Sequence, residues 1–313
     1  MIRSTDFTVP AAGRHGGDAA RVATALGLDP ATVIDLSASM NPFAPDVSAL
    51  IRDELERRDS AAITTYPDPT ASTLALAGSI GVDPERLVLT NGGAEAIALV
   101  AAHERIGAVL EPEFSLYLRH LETSAPDAPR WRSNPSNPLG SLAAADESAR
   151  VWDEAFYPLA TGRWTRGDDD GWRLGSLTKV WNCPGLRLGY AIAPDIAMAQ
   201  AIRDRQPAWA VNGIALAMLP RLLEVTDLGA WHGKISALRA EFVTSVRDLG
   251  FGVTDTSANW VLVDRAGLRT DLAQRGVVVR DCASFGLAGV HRVAVPTPDS
   301  FERVLAAFAA VRR

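Results

Sequence analysis

The chain has 313 residues, 47% of them hydrophobic, enough for a sizeable core and for one large domain or a large and a small one. Its net charge of −6 is spread along the sequence, which points away from nucleic acid and from an anionic membrane surface. Two cysteines, Cys183 and Cys282, and five scattered histidines give no disulfide framework and no metal-ligand spacing, and they fit a reducing cytoplasm. No apolar stretch approaches the ~20 residues of a membrane helix, and residues 1–10 lack the apolar core of a signal peptide.

The pattern along the chain is one of alternation. Residues 86–90 read as a short buried strand that runs into Asn91, Gly92 and Gly93 and then an apolar helix to about His103. Residues 107–110 are strand-like, and so is Val151-Trp152 just before Asp153. Two more strands are predicted over 172–176 and 188–193, followed by amphipathic helical patterns over 195–205, 213–224 and 228–249. The last third changes character. Strands are predicted over 251–253, 259–263, 277–279 and 292–295, separated by helical patterns over 268–274 and 298–312. This predicts an α/β fold: a large domain with a mixed, mostly parallel sheet between helices, and a smaller C-terminal α+β domain. The boundaries expected are 1–45 for an N-terminal arm and small-domain segment, 46–210 for the large domain and 211–313 for the small one.

Polar clusters fall where such a sheet binds ligands, beyond the carboxyl ends of its strands. Lys179 sits in a turn after the strand 172–176, flanked by the hydroxyls of Ser176 and Thr178, with Arg187 eight positions on. A lysine that is to form a Schiff base must be partly desolvated so that its amine can be neutral. Hydroxyls and an arginine suit a phosphate. Taken alone, Lys179 reads equally as a solvated loop lysine, Asp153 as a helix N-cap, and the turn-rich Asn134-Pro135-Ser136-Asn137-Pro138 as an ordinary loop. Gly92 and Gly93 alone read as a tight turn, or as a place where backbone N–H groups meet a phosphate at a helix N-terminus.

In this order, the segments resemble the fold type I pyridoxal-phosphate (PLP) enzymes, in the branch of histidinol-phosphate aminotransferases and threonine-phosphate decarboxylases. The resemblance runs from His15 to the last helix. Its most specific part is Ser176-Leu177-Thr178-Lys179 followed by Pro184-Gly185-Leu186-Arg187-Leu188-Gly189-Tyr190. It implies PLP as cofactor, carried on Lys179, with Asp153 paired to the pyridine nitrogen and Asn137 to the phenolic oxygen. It places Phe114 against the pyridine face. Gly92, Gly93, Ala94, Ser176, Thr178 and Arg187 form the phosphate cup, and Tyr66 reaches the phosphate of a neighbouring subunit, so a homodimer with shared sites is expected. Arg292 resembles the arginine that grips the substrate carboxylate, Arg280 a second substrate arginine suited to a phosphate. His15 and Asn41 lie in segments that close over the substrate. Apart from the resemblance, Phe114 reads as a core residue, Tyr66 as a turn residue, Arg292 as an exposed strand residue and His15 as a structural one.

The chain departs from the branch in two ways. Phe156 stands where aminotransferases of the branch often have a tyrosine, and the stretch 114–153 is short. The first leans toward decarboxylation of a small phosphorylated amino acid, as in the threonine-phosphate decarboxylases of cobalamin biosynthesis. The alternative is a histidinol-phosphate-type or aromatic aminotransferase. The choice rests on which Cα bond the protein holds perpendicular to the ring. A degenerate, non-catalytic relative is a further alternative. Only about 14 residues precede His15, too few for the DNA-binding domain of an aminotransferase-like regulator.

Overall fold

Alternate residues of the strands in the computed structural model face two different cores, and this fixes the layers. The structure describes residues 8–57 and 61–312; residues 1–7 of the expected arm lie outside them. The chain divides into two compact units. One comprises Phe43–Asn137 and Ser141–Gly233; the other comprises the residues up to Pro42, Pro138–Gly140 and the residues from Lys234 onward.

The larger unit holds a seven-stranded sheet. Its order is Leu87–Asn91, Leu188–Ile192, Trp172–Ser176, Val151–Asp153, Arg130–Ser133, Ile106–Val109 and Thr123–Ser124. The Leu188–Ile192 strand runs antiparallel to both its neighbours, and the remaining pairs are parallel. Leu87, Leu89, Leu188, Tyr190 and Ile192 point into one core with the helices Thr70–Ile80 and Gly213–Glu224. Val88, Leu174 and Ala191 point into the other with the helix Gly93–Glu104. Sheets covered on both faces need strands apolar throughout, and Leu188–Ile192 is buried at every residue. The helix Gly213–Glu224 packs on Thr70–Ile80, where Ser72 Oγ donates to the Leu216 carbonyl at 2.7 Å. The larger unit therefore extends to Gly233, beyond the boundary predicted at 210.

The parallel strands Arg130–Ser133 and Val151–Asp153 are joined by residues 134–150 without a helix, an unusual crossover. All strands but Leu188–Ile192 run the same way, so the chain leaves Asn91, Ser133, Asp153 and Ser176 on one edge of the sheet. Ser133 lies opposite Asp153, and Ser176 and Thr90 both lie opposite Gly189.

The smaller unit holds a four-stranded antiparallel sheet in the order Arg280–Asp281, Val290–Ala294, Trp260–Asp264 and Gly252–Thr254. The helix Phe301–Val311 and the residues from Lys234 in the helix Leu228–Asp248 cover it through Phe242, Val246, Val304 and Phe308. The strand predicted over 277–279 is two strands. Val277–Val278 pairs with Ile34–Asp35, and Arg280–Asp281 joins the larger sheet of this unit. No helix among the described residues is long and apolar enough to cross a membrane.

Candidate active site

At the carboxyl end of Leu87–Asn91, Gly92 takes φ of +78°, a conformation that glycine reaches without strain. A Cβ built there would stand 2.4 Å from Arg187 Nη2. A Cβ on Gly189 would strike the Gly92 carbonyl carbon at 2.5 Å and the Gly93 nitrogen at 2.6 Å. Gly189 is therefore required by close approach of backbone, and Gly92 by its positive φ. Gly93 and Ala94 open the helix Gly93–Glu104, and the Asn91 N–H is satisfied by Glu95 Oε2 at 2.6 Å. The Ser176 and Thr178 hydroxyls are 2.9 Å apart, and Ser176 Cβ lies 3.3 Å from the position of a Cβ on Gly93. Gly92, Gly93, Ser176, Thr178 and Arg187 thus converge on one spot. A helix N-terminus, two hydroxyls and a guanidinium there make an anion cup with the donor set of a phosphate site.

Lys179 is half-buried on the short helix Leu177–Val180, and its Nζ stands 5.7 Å from the centroid of the Phe156 ring. Asp153 is 9% exposed. Its Oδ2 accepts from the Tyr117 hydroxyl at 2.7 Å and its Oδ1 from the Ala155 N–H at 3.0 Å. Burial holds the Asp153 carboxyl above the usual range, while the Tyr117 and Ala155 bonds and the Lys179 charge oppose the rise. A cation such as a protonated ring nitrogen would offset that burial. Asn137 is buried, and its N–H donates to Ser133 Oγ at 2.8 Å. Phe114 meets the Tyr117 ring edge to face, with centroids 5.9 Å apart. Phe156 supplies no hydroxyl beside Lys179. The neighbouring Tyr157 keeps company with Thr161, Glu154, Arg163 and Arg166 instead. Tyr66 is 77% exposed and stacks on Trp209, itself 60% exposed, at 4.4 Å.

In the smaller unit, Arg280 and Arg292 lie directly opposite each other on paired strands, 3% and 5% exposed. Arg292 Nη2 donates to the Ser37 carbonyl at 3.0 Å, and its guanidinium sits 5.0 Å from the Trp260 ring centre. Burial pushes the Arg292 guanidinium down to about 10. Arg280 donates to the Gly13 and Arg14 carbonyls and, at 2.6 Å, to Ser284 Oγ. It therefore holds the segment that carries His15. That segment is also held by Ser37, whose Oγ accepts from the Gly17 N–H at 2.7 Å. His15 is exposed, whereas Asn41 is buried in a loop to which Asn259 Nδ2 donates at Ser39 and Met40. Among the described residues no group of side chains could hold a metal ion.

Residues 131–308 match the family model described as aminotransferase class I and II. The chain is 31% identical to threonine-phosphate decarboxylase of Salmonella typhimurium, over 94% of this chain and 95% of that protein. The chain belongs to the aminotransferase class I and II family. It is 28% identical to histidinol-phosphate aminotransferase 2 of Pseudomonas fluorescens, over 93% of this chain and 92% of that one. The histidinol-phosphate aminotransferase of Sinorhizobium meliloti, solved in complex with pyridoxal-5′-phosphate, superposes with a TM-score of 0.79 at 18% identity, covering 100% of this chain and 98% of that one. The cofactor of this aminotransferase-family chain is PLP, and the glycine cradle, the hydroxyl pair and the buried Asp153 fit it. Gly92, Gly93, Ala94, Ser176, Thr178 and Arg187 would hold its phosphate, Lys179 its aldehyde carbon and Asp153 its ring nitrogen. When bound, PLP supplies an electron-accepting ring.

Tyr117, Ser133, Ser37 and Ser284 are contacts the sequence reading missed. Tyr117, three residues after Phe114, stands on the short helix Leu116–His120, which was not predicted. Ser133 carried no signal because its contact depends on strand register, and Ser37 because its partner Gly17 lies twenty residues away.

Proposed function

We propose that the protein decarboxylates a small phosphorylated amino acid of the threonine-phosphate type, with Arg280 and Arg292 as the substrate's cationic clamps. One observation carries the reading: two buried arginines face each other across a strand pair. Two guanidiniums held side by side make a seat suited to anions. A substrate with a carboxylate and a phosphate supplies two anions. Arg292, held by Ser37 and Trp260, suits the planar carboxylate. Arg280 suits the phosphate, with Ser284 beside it and His15 on the tethered segment. Asp153 holds a proton at the ring nitrogen and Lys179 moves one at the substrate Cα. Phe156 in place of a hydroxyl supports the decarboxylase side, as does the similarity to threonine-phosphate decarboxylase. The related histidinol-phosphate aminotransferases support transamination as the second reading. The exposed Tyr66–Trp209 stack supports a homodimer in which Tyr66 reaches the partner's site. The chain composition supports a cytoplasmic setting.

The test is to give the holoenzyme threonine phosphate and, separately, histidinol phosphate with 2-oxoglutarate. Release of CO2 from the first, without glutamate from the second, is expected. In Arg280→Ala the preference for threonine phosphate over threonine should collapse. Sustained glutamate formation without CO2 would move the protein to the aminotransferase reading. Equal loss on both substrates with a lower Tm would make Arg280 a structural tether.

A further inference from the structure

One buried carboxyl has no part in the chemistry described above. Glu113 is 5% exposed. Its Oε1 accepts from the Ser133 N–H at 3.0 Å and its Oε2 from the Ser133 hydroxyl at 2.5 Å. The Phe114 N–H also donates to Oε2, at 3.3 Å. The Ser133 Oγ that donates to Glu113 accepts in turn from the Asn137 N–H at 2.8 Å. Ser133 is the strand partner of Asp153, whose Oδ2 receives the Tyr117 hydroxyl. The Tyr117 ring packs on Phe114 and, at 5.7 Å, on Trp131. The backbones of three residues assigned to the ring of the cofactor, Phe114, Asn137 and Asp153, therefore lead back through one or two hydrogen bonds or a strand pairing to a single carboxyl and a single serine.

We propose that Glu113 is a positioning residue for the cofactor: clamped on both polar groups of Ser133, it sets the backbone at Phe114 and Asn137 and, beside Tyr117, the seat of Asp153. The proposal rests on PLP as the cofactor.

The surroundings agree with this role. The charged and titratable groups near Glu113 are Asp153, Tyr117, Arg132 and Glu111, whose Oε2 accepts from the Glu113 N–H at 3.0 Å. Burial pushes the Glu113 carboxyl up to about 7, and the Asp153 charge adds to the rise against the Ser133 bonds. A surface carboxylate placed only for solubility would gain nothing from such a seat, whereas a buried group held by three donors over-determines the geometry around it.

The experiment compares wild type, Glu113→Gln, Glu113→Ala and Ser133→Ala. For each, apoprotein is titrated with PLP, the visible band of the lysine-bound cofactor is followed against pH, and the Tm of the apoprotein is recorded. Glu113→Ala should weaken PLP binding by about tenfold or more and shift the pH midpoint of the band. Glu113→Gln, which keeps an acceptor for Ser133, should bind close to wild type. Unchanged PLP affinity and an unchanged midpoint in Glu113→Ala, even with a lower Tm, would overturn the proposal. If Glu113→Ala does not fold, Ser133→Ala carries the same two readouts, and wild-type values there overturn it equally. A wild type that takes up no PLP would overturn the cofactor assignment itself, whereas normal uptake by both wild type and Glu113→Ala would overturn only the role of Glu113.

Discussion

Asp153 shows how much one side chain draws on its seat. It ends a three-residue strand, is bonded by Tyr117 and Ala155, and is buried beyond what an unpaired carboxylate tolerates. Its substitution by asparagine keeps size and hydrogen bonding but removes the charge that holds a proton on the ring nitrogen. Asp153→Asn should therefore retain PLP and lose most turnover, at a cost on the order of 3 kcal/mol, or more than a hundredfold in rate. Turnover near wild type with cofactor bound would make Asp153 a structural carboxylate. Its neighbour Glu154 behaves differently. Its Oε1 accepts from the Arg166 N–H at 2.7 Å, and its Oε2 has no hydrogen-bond partner among the described residues. Burial pushes this carboxyl from 4.5 to about 7. The folded state thus prefers the protonated form. The stability this confers is complete below pH 4.5, where the unfolded chain is protonated too, and is lost as pH rises through 7. Between those limits Glu154 should make the wild type lose on the order of 3 kcal/mol relative to Glu154→Gln. Denaturant melts of the two proteins across that range check this, and a gap that does not change with pH would refute it.

At the scale of elements, legibility in the sequence followed the length of the apolar runs. The strands around 87–91, 172–176 and 188–192 and the helix after Gly93 were readable because continuous apolar runs end in glycine or polar clusters. Lys179, Asp153 and Gly92 stood out as candidates because each follows a predicted strand, and Arg187 because it directly precedes one. The strand Arg130–Ser133 was not predicted. Two of its four residues are arginines, and Glu147, from the loop 134–150, pairs with both, the half-buried Arg130 and the buried Arg132. No local pattern announces a partner so far along the chain. The helix Thr70–Ile80, small and apolar on every side, likewise lacks the amphipathic stripe that marks a surface helix. The split of 277–281 between two sheets was illegible because Val277–Val279 looks like one run, and only the pairing with Ile34–Asp35 on one side and Val290–Ala294 on the other divides it.

At the scale of the molecule, the exposed aromatic stack of Tyr66 and Trp209 is the feature that a single chain explains least. Large apolar groups left at 77% and 60% exposure mark contact surfaces more often than free ones. If Tyr66 serves the partner's site, Tyr66→Ala and Lys179→Ala should each be inactive alone. Refolded together, they should recover about a quarter of wild-type activity, since half the dimers are mixed and each mixed dimer has one intact site. Recovery of nothing from the mixture, or full activity in a monomer by light scattering, would exclude the shared site.

The antiparallel placement of Leu188–Ile192 has a consequence for the order in which the chain can assemble. Its pairing with Trp172–Ser176 closes a short loop, but its pairing with Leu87–Asn91 joins residues a hundred positions apart, Leu87 to Ile192. Loop closure over that span costs about 2 kcal/mol more in entropy than closing the local hairpin. The lysine segment and Arg187 can thus take shape together, while Gly92 and Gly93 meet Gly189 only when the long-range ladder closes. The anion cup is thus completed by the strand pairing of greatest sequence separation in the sheet of its unit, so a cofactor bound there stabilises the finished sheet and not its separate parts.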